Sequence, residues 1–134
     1  MPSVQNYVDG EWTDSDSKET FETVNPAAPE EVVAEYQEST ASDAAAAVTA
    51  AADAEEKWAS VPGPERGAIL KTAGDILADR KEELTAQLTR EEGKTHAEAG
   101  GEIQRAVDIF HYYAQKTRDL GGTVKSSSGR RTNL

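Results

Sequence analysis

The stretch EEGKTHAE at residues 91–98 decides the organisation of this chain, because it ends one long helix and begins another. Gly93 supplies the residue with positive φ that commonly terminates a helix. Thr95 and Glu98 have the spacing of a capping box, in which each side chain hydrogen-bonds to the backbone N–H of the other residue. The stretch therefore predicts two helices joined by a sharp corner.

Apolar residues at helical spacing extend both helices away from this corner. The upstream helix is predicted over residues 64–92, with Pro64 at its first position, where a missing N–H costs nothing. Its predicted buried stripe is Ile69, Leu70, Ala73, Ile76, Leu77, Leu84 and Leu88. The downstream helix is predicted over residues 96–119, with a stripe of Ile103, Ala106, Phe110 and Tyr113. At about 1.5 Å per residue the 64–92 helix would be roughly 43 Å long, so it needs a larger body to lie against.

An Ala-rich segment before these helices predicts another helix, over residues 43–59, with Ser42 or Asp43 as its capping residue. Trp58 falls one turn before the Pro62-Gly63-Pro64 break. From this position we predict that Trp58 packs on the stripe that starts at Ile69 and dominates the core.

Short strands are predicted between residues 5 and 37. The dipeptide Asp9-Gly10 lies between aromatic and β-branched residues, which is a strong signal for a hairpin of strands 5–8 and 11–13. A further strand near residues 21–24 should stop at Asn25-Pro26, because Pro restricts the residue before it. Residues 32–37 are its predicted partner.

Composition limits the possible functions. The chain has 134 residues, enough for one modest domain, and a net charge of −11, which argues against nucleic acid or an anionic membrane as the main partner. It has no Cys, which excludes disulfides, thiolate metal sites and a Cys nucleophile. No stretch approaches the roughly 20 apolar residues of a membrane span, and a soluble cytoplasmic protein is expected. The acid excess suits a plain hydrated surface or the cytoplasm of a high-salt organism.

The order of these signals resembles the N-terminal region of the NAD(P)-dependent aldehyde dehydrogenase superfamily. The resemblance covers about residues 6–122, and each piece alone is degenerate while the ordered set is specific. Two positions depart from the pattern: Ala28-Pro29-Glu30 stands where a Thr-Gly turn is usual, and Thr95 replaces a frequent Pro. The matching segments are Tyr7–Trp12, Phe21, Val24–Ala27, Asp43, Ala47-Val48, Trp58, Pro62, Glu65-Arg66, Ile69-Leu70, Arg80, Glu83-Leu84, Glu92–Lys94, Glu98-Ala99, Glu102, Phe110 and Tyr112–Ala114.

The resemblance implies an α/β parent fold, of which residues 1–122 are the N-terminal part: a β-hairpin and short strands followed by three α-helices. Residues 123–134 would be a polar tail that leads to an oligomerisation hairpin and the cofactor domain. Full-length relatives oxidise aldehydes to acids with NAD or NADP, using a Cys nucleophile and a general-base Glu. Neither these residues nor the cofactor loop has a counterpart here, so we expect a fragment that has no catalytic or cofactor-binding residue.

The resemblance also implies partners and one candidate site. The partners are the rest of the dehydrogenase chain and further copies of the full-length protein. The site is a structural monovalent cation held by carbonyl oxygens of Thr23 and Val24 and by the carboxylate of Glu102. Hard cations prefer such oxygen ligands. The alternative is a Glu102 that is exposed or salt-bridged.

Other motifs favour structural interpretations. Gly93-Lys94-Thr95 imitates the end of a phosphate-binding loop, but Leu88 stands where that motif needs Gly. Asp14 and Asp16 begin like a calcium loop, but Lys18 occupies a ligand position. A helix terminator and a solvated loop explain these segments better.

The two His and the paired Tyr also lack the context of a site. Fifteen residues separate His96 and His111, and no helical carboxylate–His spacing links the two to one face for a metal site, so His96 is expected at a cap and His111 at the surface. Tyr112 and Tyr113 in acidic surroundings are expected to serve helix packing rather than base stacking.

Three functional hypotheses follow. The preferred one is a piece of an oxidoreductase. The others are a stand-alone helical interaction module and a non-catalytic relic of a dehydrogenase gene. An overlong amphipathic helix and a polar tail argue against independence, because a complete module should close its own core.

Overall fold

The architecture is two small β-hairpins followed by four helices, in a computed structural model that describes residues 3–119 and 121–122. The strands pair within each hairpin and form two separate two-stranded antiparallel sheets. In chain order the elements are β1 (Asn6–Val8), β2 (Glu11–Thr13), β3 (Thr20–Asn25), β4 (Ala28–Gln37), α1 (Ala41–Ser60), α2 (Gly63–Asp79), α3 (Lys81–Glu92) and α4 (His96–Lys116).

The predicted Asp-Gly hairpin is confirmed. Asp9 and Gly10 both have positive φ, 52° and 84°, as a two-residue turn between twisted strands requires. Tyr7 pairs with Trp12 across the two strands, and their rings lie 5.0 Å apart. The aromatic pair stabilises a hairpin that is too short to be stable by itself.

The second hairpin pairs β3 with β4, and β4 begins earlier than predicted, at Ala28. The side chain of Asn25 accepts a hydrogen bond from the N–H of Ala27 at 2.9 Å, which stabilises the tight turn. The register shifts on both sides of Val24, so the strand bulges near its end.

Helix α1 is capped differently from the prediction. The capping residue is Thr40, and Asp43 lies at the third helical position, where the two complete a capping box. Ser42 and Asp43, the predicted caps, are inside the helix. The Thr40 side chain reaches the free N–H groups of the first turn more directly, because it stands one residue before the helix begins.

The predicted 64–92 helix is two helices, and this part of the prediction was wrong. Arg80 separates α2 from α3 with φ −99° and ψ 13°, although neither Gly nor Pro marks the break. Its guanidinium binds the Glu83 carboxylate with two hydrogen bonds, at 3.0 and 2.7 Å. Helix α2 packs on the C-terminal half of α4, and α3 packs on its N-terminal half.

These two helices run antiparallel along α4, and four contacts define the seam between them and α4. Gly67 lies against Ala114 and Thr117, and Gly74 lies against Phe110 and His111. Lys81 donates to the Gln104 side chain at 2.9 Å, and Thr85 lies against Gly100. Gly67, Gly74 and Lys81 are spaced by seven residues, which places them on one face along this seam. The two Gly and the small residues on α4 let the helices approach closely.

Most of the core lies on this seam, on the face of α2 and α3 that the sequence predicted to be buried. Ala99 is fully buried, Val107 and Ala114 are nearly so, and Val33 of β4 is the fourth buried apolar residue among those described. Three residues of the predicted core, Trp58, Ile69 and Ile76, are exposed, and α1 buries no residue. The predicted stripe was wrong at Ile69 and Ile76 and in its Trp58 contact, whereas its other five members are half-buried: Leu70, Ala73, Leu77, Leu84 and Leu88.

Helix α4 ends at Lys116, three residues before the predicted end at 119, and Thr117 caps it. Its exposed Tyr113 also corrects the predicted stripe, in which Ala114 takes the buried position instead. The predicted polar tail at residues 123–134 lies outside the described residues.

Candidate functional site

The α3–α4 corner has the geometry that the sequence predicted. Gly93 adopts the left-handed conformation with φ 65° and ψ 19°, and the Thr95–Glu98 capping box starts α4. The hydrogen bonds from Thr95 lower the pKa of the Glu98 carboxyl, because they favour its charged form. The residue that caps the helix is Thr95; the ring of His96 instead lies 3.5 Å from the Glu82 carboxylate.

Lys94, in this corner, is the partner of Glu102. Its ammonium donates to both carboxylate oxygens of Glu102 at 2.7 Å and also binds Glu92. The pKa of Lys94 is raised, chiefly by the hydrogen bond to Glu102 and then by that to Glu92. Lys94 thus serves to join α3 to α4, a structural use that differs from the phosphate contact of a P-loop lysine.

The predicted cation ligands occupy two elements. Thr23 and Val24 lie at the bulged end of β3, where the Thr23 hydroxyl donates to the Ala34 carbonyl at 3.3 Å. Glu102 lies in the second turn of α4, already neutralised by the Lys94 ammonium. A bound cation would have to share or displace that ammonium. The cation site of Thr23, Val24 and Glu102 stays a prediction, and the described residues contain no group of three His, Asp or Glu side chains that could hold a metal ion.

His111 is not a plain surface residue, which corrects the prediction. Its Nε2 lies 3.1 Å from the Asp75 carboxylate, and its ring packs against Gly74. The other oxygen of Asp75 accepts from Lys71 at 2.6 Å. Lys71 first, and then His111, lower the pKa of Asp75. This polar link joins α2 to α4 beside the seam.

A cavity of about 590 Å³ opens where the end of α1, the start of α2 and the end of α4 meet. Tyr112 and Tyr113 meet edge to face at 5.2 Å, and Lys116 lies over the ring of Tyr112. The Nε atom of Arg66 is buried and has no hydrogen-bond partner among the described residues. We call this set the aromatic surface: Trp58, Arg66, Leu70, Tyr112, Tyr113 and Lys116.

The sequence analysis did not predict this cavity, although the helical spacing of four of its lining residues can be seen in the sequence. Arg66 and Leu70 are one turn apart on α2, as Tyr112 and Lys116 are on α4. The two Tyr were expected to serve helix packing, yet each is more than half exposed. The seam between α2 and α4 brings Arg66 and Leu70 together with the two Tyr, and that seam depends on Gly contacts between distant segments.

Family comparison agrees with this architecture and with the order of the motifs. Residues 12–134 match the model of the aldehyde dehydrogenase family. The chain belongs to that family, and its fold is that of the corresponding segment of an aldehyde dehydrogenase.

Two proteins similar to this chain are both semialdehyde dehydrogenases. Over 130 residues the chain is 61% identical to an alpha-ketoglutarate semialdehyde dehydrogenase of Haloferax volcanii, a match that covers 97% of this chain and 27% of the relative. It is 42% identical over 123 residues to the alpha-ketoglutaric semialdehyde dehydrogenase of Bacillus subtilis, covering 91% of this chain and 25% of the relative.

Solved structures give the same result. The chain superposes with a TM-score of 0.87 and 34% identity on an NAD-dependent aldehyde dehydrogenase from Sinorhizobium meliloti, over 96% of this chain and 26% of that one. The chain thus spans about a quarter of the length of the relatives it matches. No helix in the described residues is both long enough and apolar enough to cross a membrane.

Proposed function

We propose that this chain is one structural part of an NAD(P)-dependent semialdehyde dehydrogenase. The whole enzyme would oxidise a carboxylate-bearing semialdehyde, such as α-ketoglutarate semialdehyde, to the acid with NAD or NADP. The observation that carries this proposal is the 61% identity to the Haloferax volcanii relative along nearly the whole chain.

The contribution of these residues is to build and hold a helical layer. The sequence contains no Cys, so a Cys nucleophile has to come from the region that the relatives have and this chain does not match. Polar side chains in the described part serve its own architecture, as Lys94 does with Glu102 and His111 with Asp75. The proposed role is therefore positional rather than catalytic.

The proposal includes the cellular environment of the enzyme. The acid excess, 25 Asp and Glu against 14 Lys and Arg, together with the Haloferax relative, supports work in a salt-rich cytoplasm. Concentrated salt weakens repulsion among exposed carboxylates, because the screening length falls to about 3 Å at 1 M. The whole enzyme would be a homo-oligomer, as the resemblance implies.

A chimera tests the proposed function. In it, the matched part of the Haloferax volcanii enzyme is replaced by the corresponding 130 residues of this chain. We expect the purified chimera to form NADH or NADPH with α-ketoglutarate semialdehyde in molar KCl, and the isolated chain to form none above a blank without enzyme. The control is the relative's remaining region expressed without any replacement part. A chimera that folds and is soluble but shows no turnover would contradict the proposal and favour a stand-alone module or a relic.

A further inference from the structure

The β1–β2 hairpin carries the one Asp-Gly dipeptide of the sequence, Asp9-Gly10, and the sequence has no Asn-Gly. An aspartyl residue before Gly is chemically labile, because the backbone nitrogen of the Gly can attack the carboxyl carbon of the Asp side chain. Gly has no Cβ, so no side chain of its own shields that nitrogen. Whether the attack proceeds then depends on how accessible and how free to move the two groups are.

Both reacting groups are accessible at the tip of the hairpin. Asp9 and Gly10 are exposed, and a Cβ at Gly10 would meet only the Tyr7 hydroxyl, at 4.0 Å. Strand pairing ends at Val8 and Glu11, on either side of the dipeptide, and no hydrogen bond within the described residues engages the Gly10 N–H. The nucleophilic nitrogen is therefore neither buried nor held by an acceptor.

Two Asp-Ser dipeptides in the loop after β2 give a comparison within the same segment, and the fold holds both of them. Ser15 is only 2% exposed, and its N–H donates to the side-chain oxygen of Gln37 at 2.9 Å. The Ser17 hydroxyl donates to the Glu38 carbonyl at 2.8 Å, which fixes this residue beside the end of β4. The structure thus restrains the nitrogen or the residue that would react in the loop, but not in the hairpin turn.

The hairpin can also open at low cost. Attack by the Gly10 nitrogen requires rotation about Asp9 away from the two-residue turn, which the paired strands resist. Each strand has only three residues, and all of β2 is exposed. So short a hairpin is marginally stable by itself, and segments with few buried contacts open most readily. The Tyr7–Trp12 ring pair, with centroids 5.0 Å apart, is the side-chain contact that opposes this opening.

We propose that Asp9-Gly10 is a site of isoaspartate formation in this protein. The Gly10 nitrogen forms a bond to the side-chain carboxyl carbon of Asp9, and the carboxyl hydroxyl leaves as water with the Gly10 amide proton. The product is a five-membered succinimide. A water molecule then adds to one of the two ring carbonyls and breaks its C–N bond, which gives either Asp9 again or isoaspartate. The water lost in the first step is regained in the second, so solvent is the only co-reactant.

The product changes the hairpin and leaves the helices as they are. In isoaspartate the main chain runs through the side-chain carboxyl, so it is longer by one methylene at the tip of the turn. The two-residue turn that aligns Val8 with Glu11 no longer has its geometry, and the pairing of Tyr7 with Trp12 is lost. The helical circular dichroism signal should therefore persist in the modified protein.

Prolonged incubation of the chain at neutral pH, followed by cleavage with endoproteinase Asp-N, tests the site. This protease cuts before Asp and does not cut before isoaspartate. We expect cleavage before Asp9 to be lost with time, while cleavage before Asp14 and Asp16 persists. Labelling with an isoaspartyl methyltransferase should place the methyl group on position 9. Full retention of cleavage before Asp9, or an equal loss before Asp14 or Asp16, would overturn the proposal.

Substitutions test whether opening of the hairpin controls the reaction. Trp12→Ala removes the ring pair and should speed isoaspartate formation by about two- to tenfold, the shift that losing one aromatic pair allows. Trp58→Ala changes another exposed Trp, outside the hairpin, and should leave the rate unchanged. Asp9→Glu would need a six-membered ring and should abolish the methyl label. An unaltered rate in Trp12→Ala, or a label that persists in Asp9→Glu, would contradict the proposal.

Discussion

Gly67→Ala should lower the urea concentration at which the isolated chain loses half of its helical circular dichroism signal, although alanine favours helix formation. A Cβ at this position would lie 2.5 Å from the carbonyl oxygen of Ala114 and would clash with the Thr117 hydroxyl. Because one of these atoms is backbone, rotating a side chain cannot relieve the contact, and α2 must move away from α4. Overpacking costs about 1–3 kcal/mol, which exceeds the roughly 1 kcal/mol gained from helix propensity.

Gly101→Ala is the matched control for this prediction. Gly101 is also helical, but a Cβ there meets nothing within 4 Å. Only the propensity gain remains, so the midpoint should rise by the equivalent of about 0.5–1 kcal/mol. The comparison is made by far-UV circular dichroism in molar KCl. If both substitutions raise the midpoint, α2 and α4 do not approach each other at Gly67 as closely as the structure shows.

Gly93→Ala should also be strongly destabilising, for two reasons that can be separated. The left-handed backbone at φ 65° costs an L-residue about 1–2 kcal/mol, and a Cβ would lie 2.9 Å from the backbone N of Ala27 in the β3–β4 turn. We therefore expect a loss of about 2–5 kcal/mol, of which about 1–2 comes from strain and about 1–3 from overpacking, measured by the same helical signal.

Gly10→Ala isolates the backbone contribution to this loss. Gly10 also has positive φ, 84°, but its nearest neighbour is the Tyr7 hydroxyl at 4.0 Å. This substitution should cost only the conformational strain. Equal losses of stability from Gly10→Ala and Gly93→Ala would mean that a Cβ at position 93 does not clash with the β3–β4 turn.

Local features of the fold could be predicted because each depends on a few neighbouring residues. The Asp9-Gly10 turn, the Gly93 terminator and the Thr95–Glu98 capping box are set by backbone conformation and by hydrogen bonds within four residues. Such signals are present in the sequence itself, and the structure agrees with all three.

The packing could not be predicted in the same way, because it depends on which helices approach each other. Gly67 and Gly74 are seven residues apart and let α2 pack closely on α4. Trp58 lies outside this contact and is exposed. The break at Arg80 has no Gly or Pro signal in the sequence. For the candidate site, Glu102 could be identified from sequence, but its Lys94 partner comes from the fold of the corner.

The central claim is that this chain is one part of a larger dehydrogenase and that the rest of the enzyme covers its exposed apolar surface. Denaturation of the isolated chain, followed together with binding of an apolar dye, tests this claim most directly. The small buried core and the exposed aromatic surface predict dye binding without denaturant and a broad loss of helical signal, at low salt and in molar KCl. In the chimera the same residues should bind no dye. A sharp, salt-independent, cooperative transition of the isolated chain with no dye binding would show that its core is complete, and would contradict the claim.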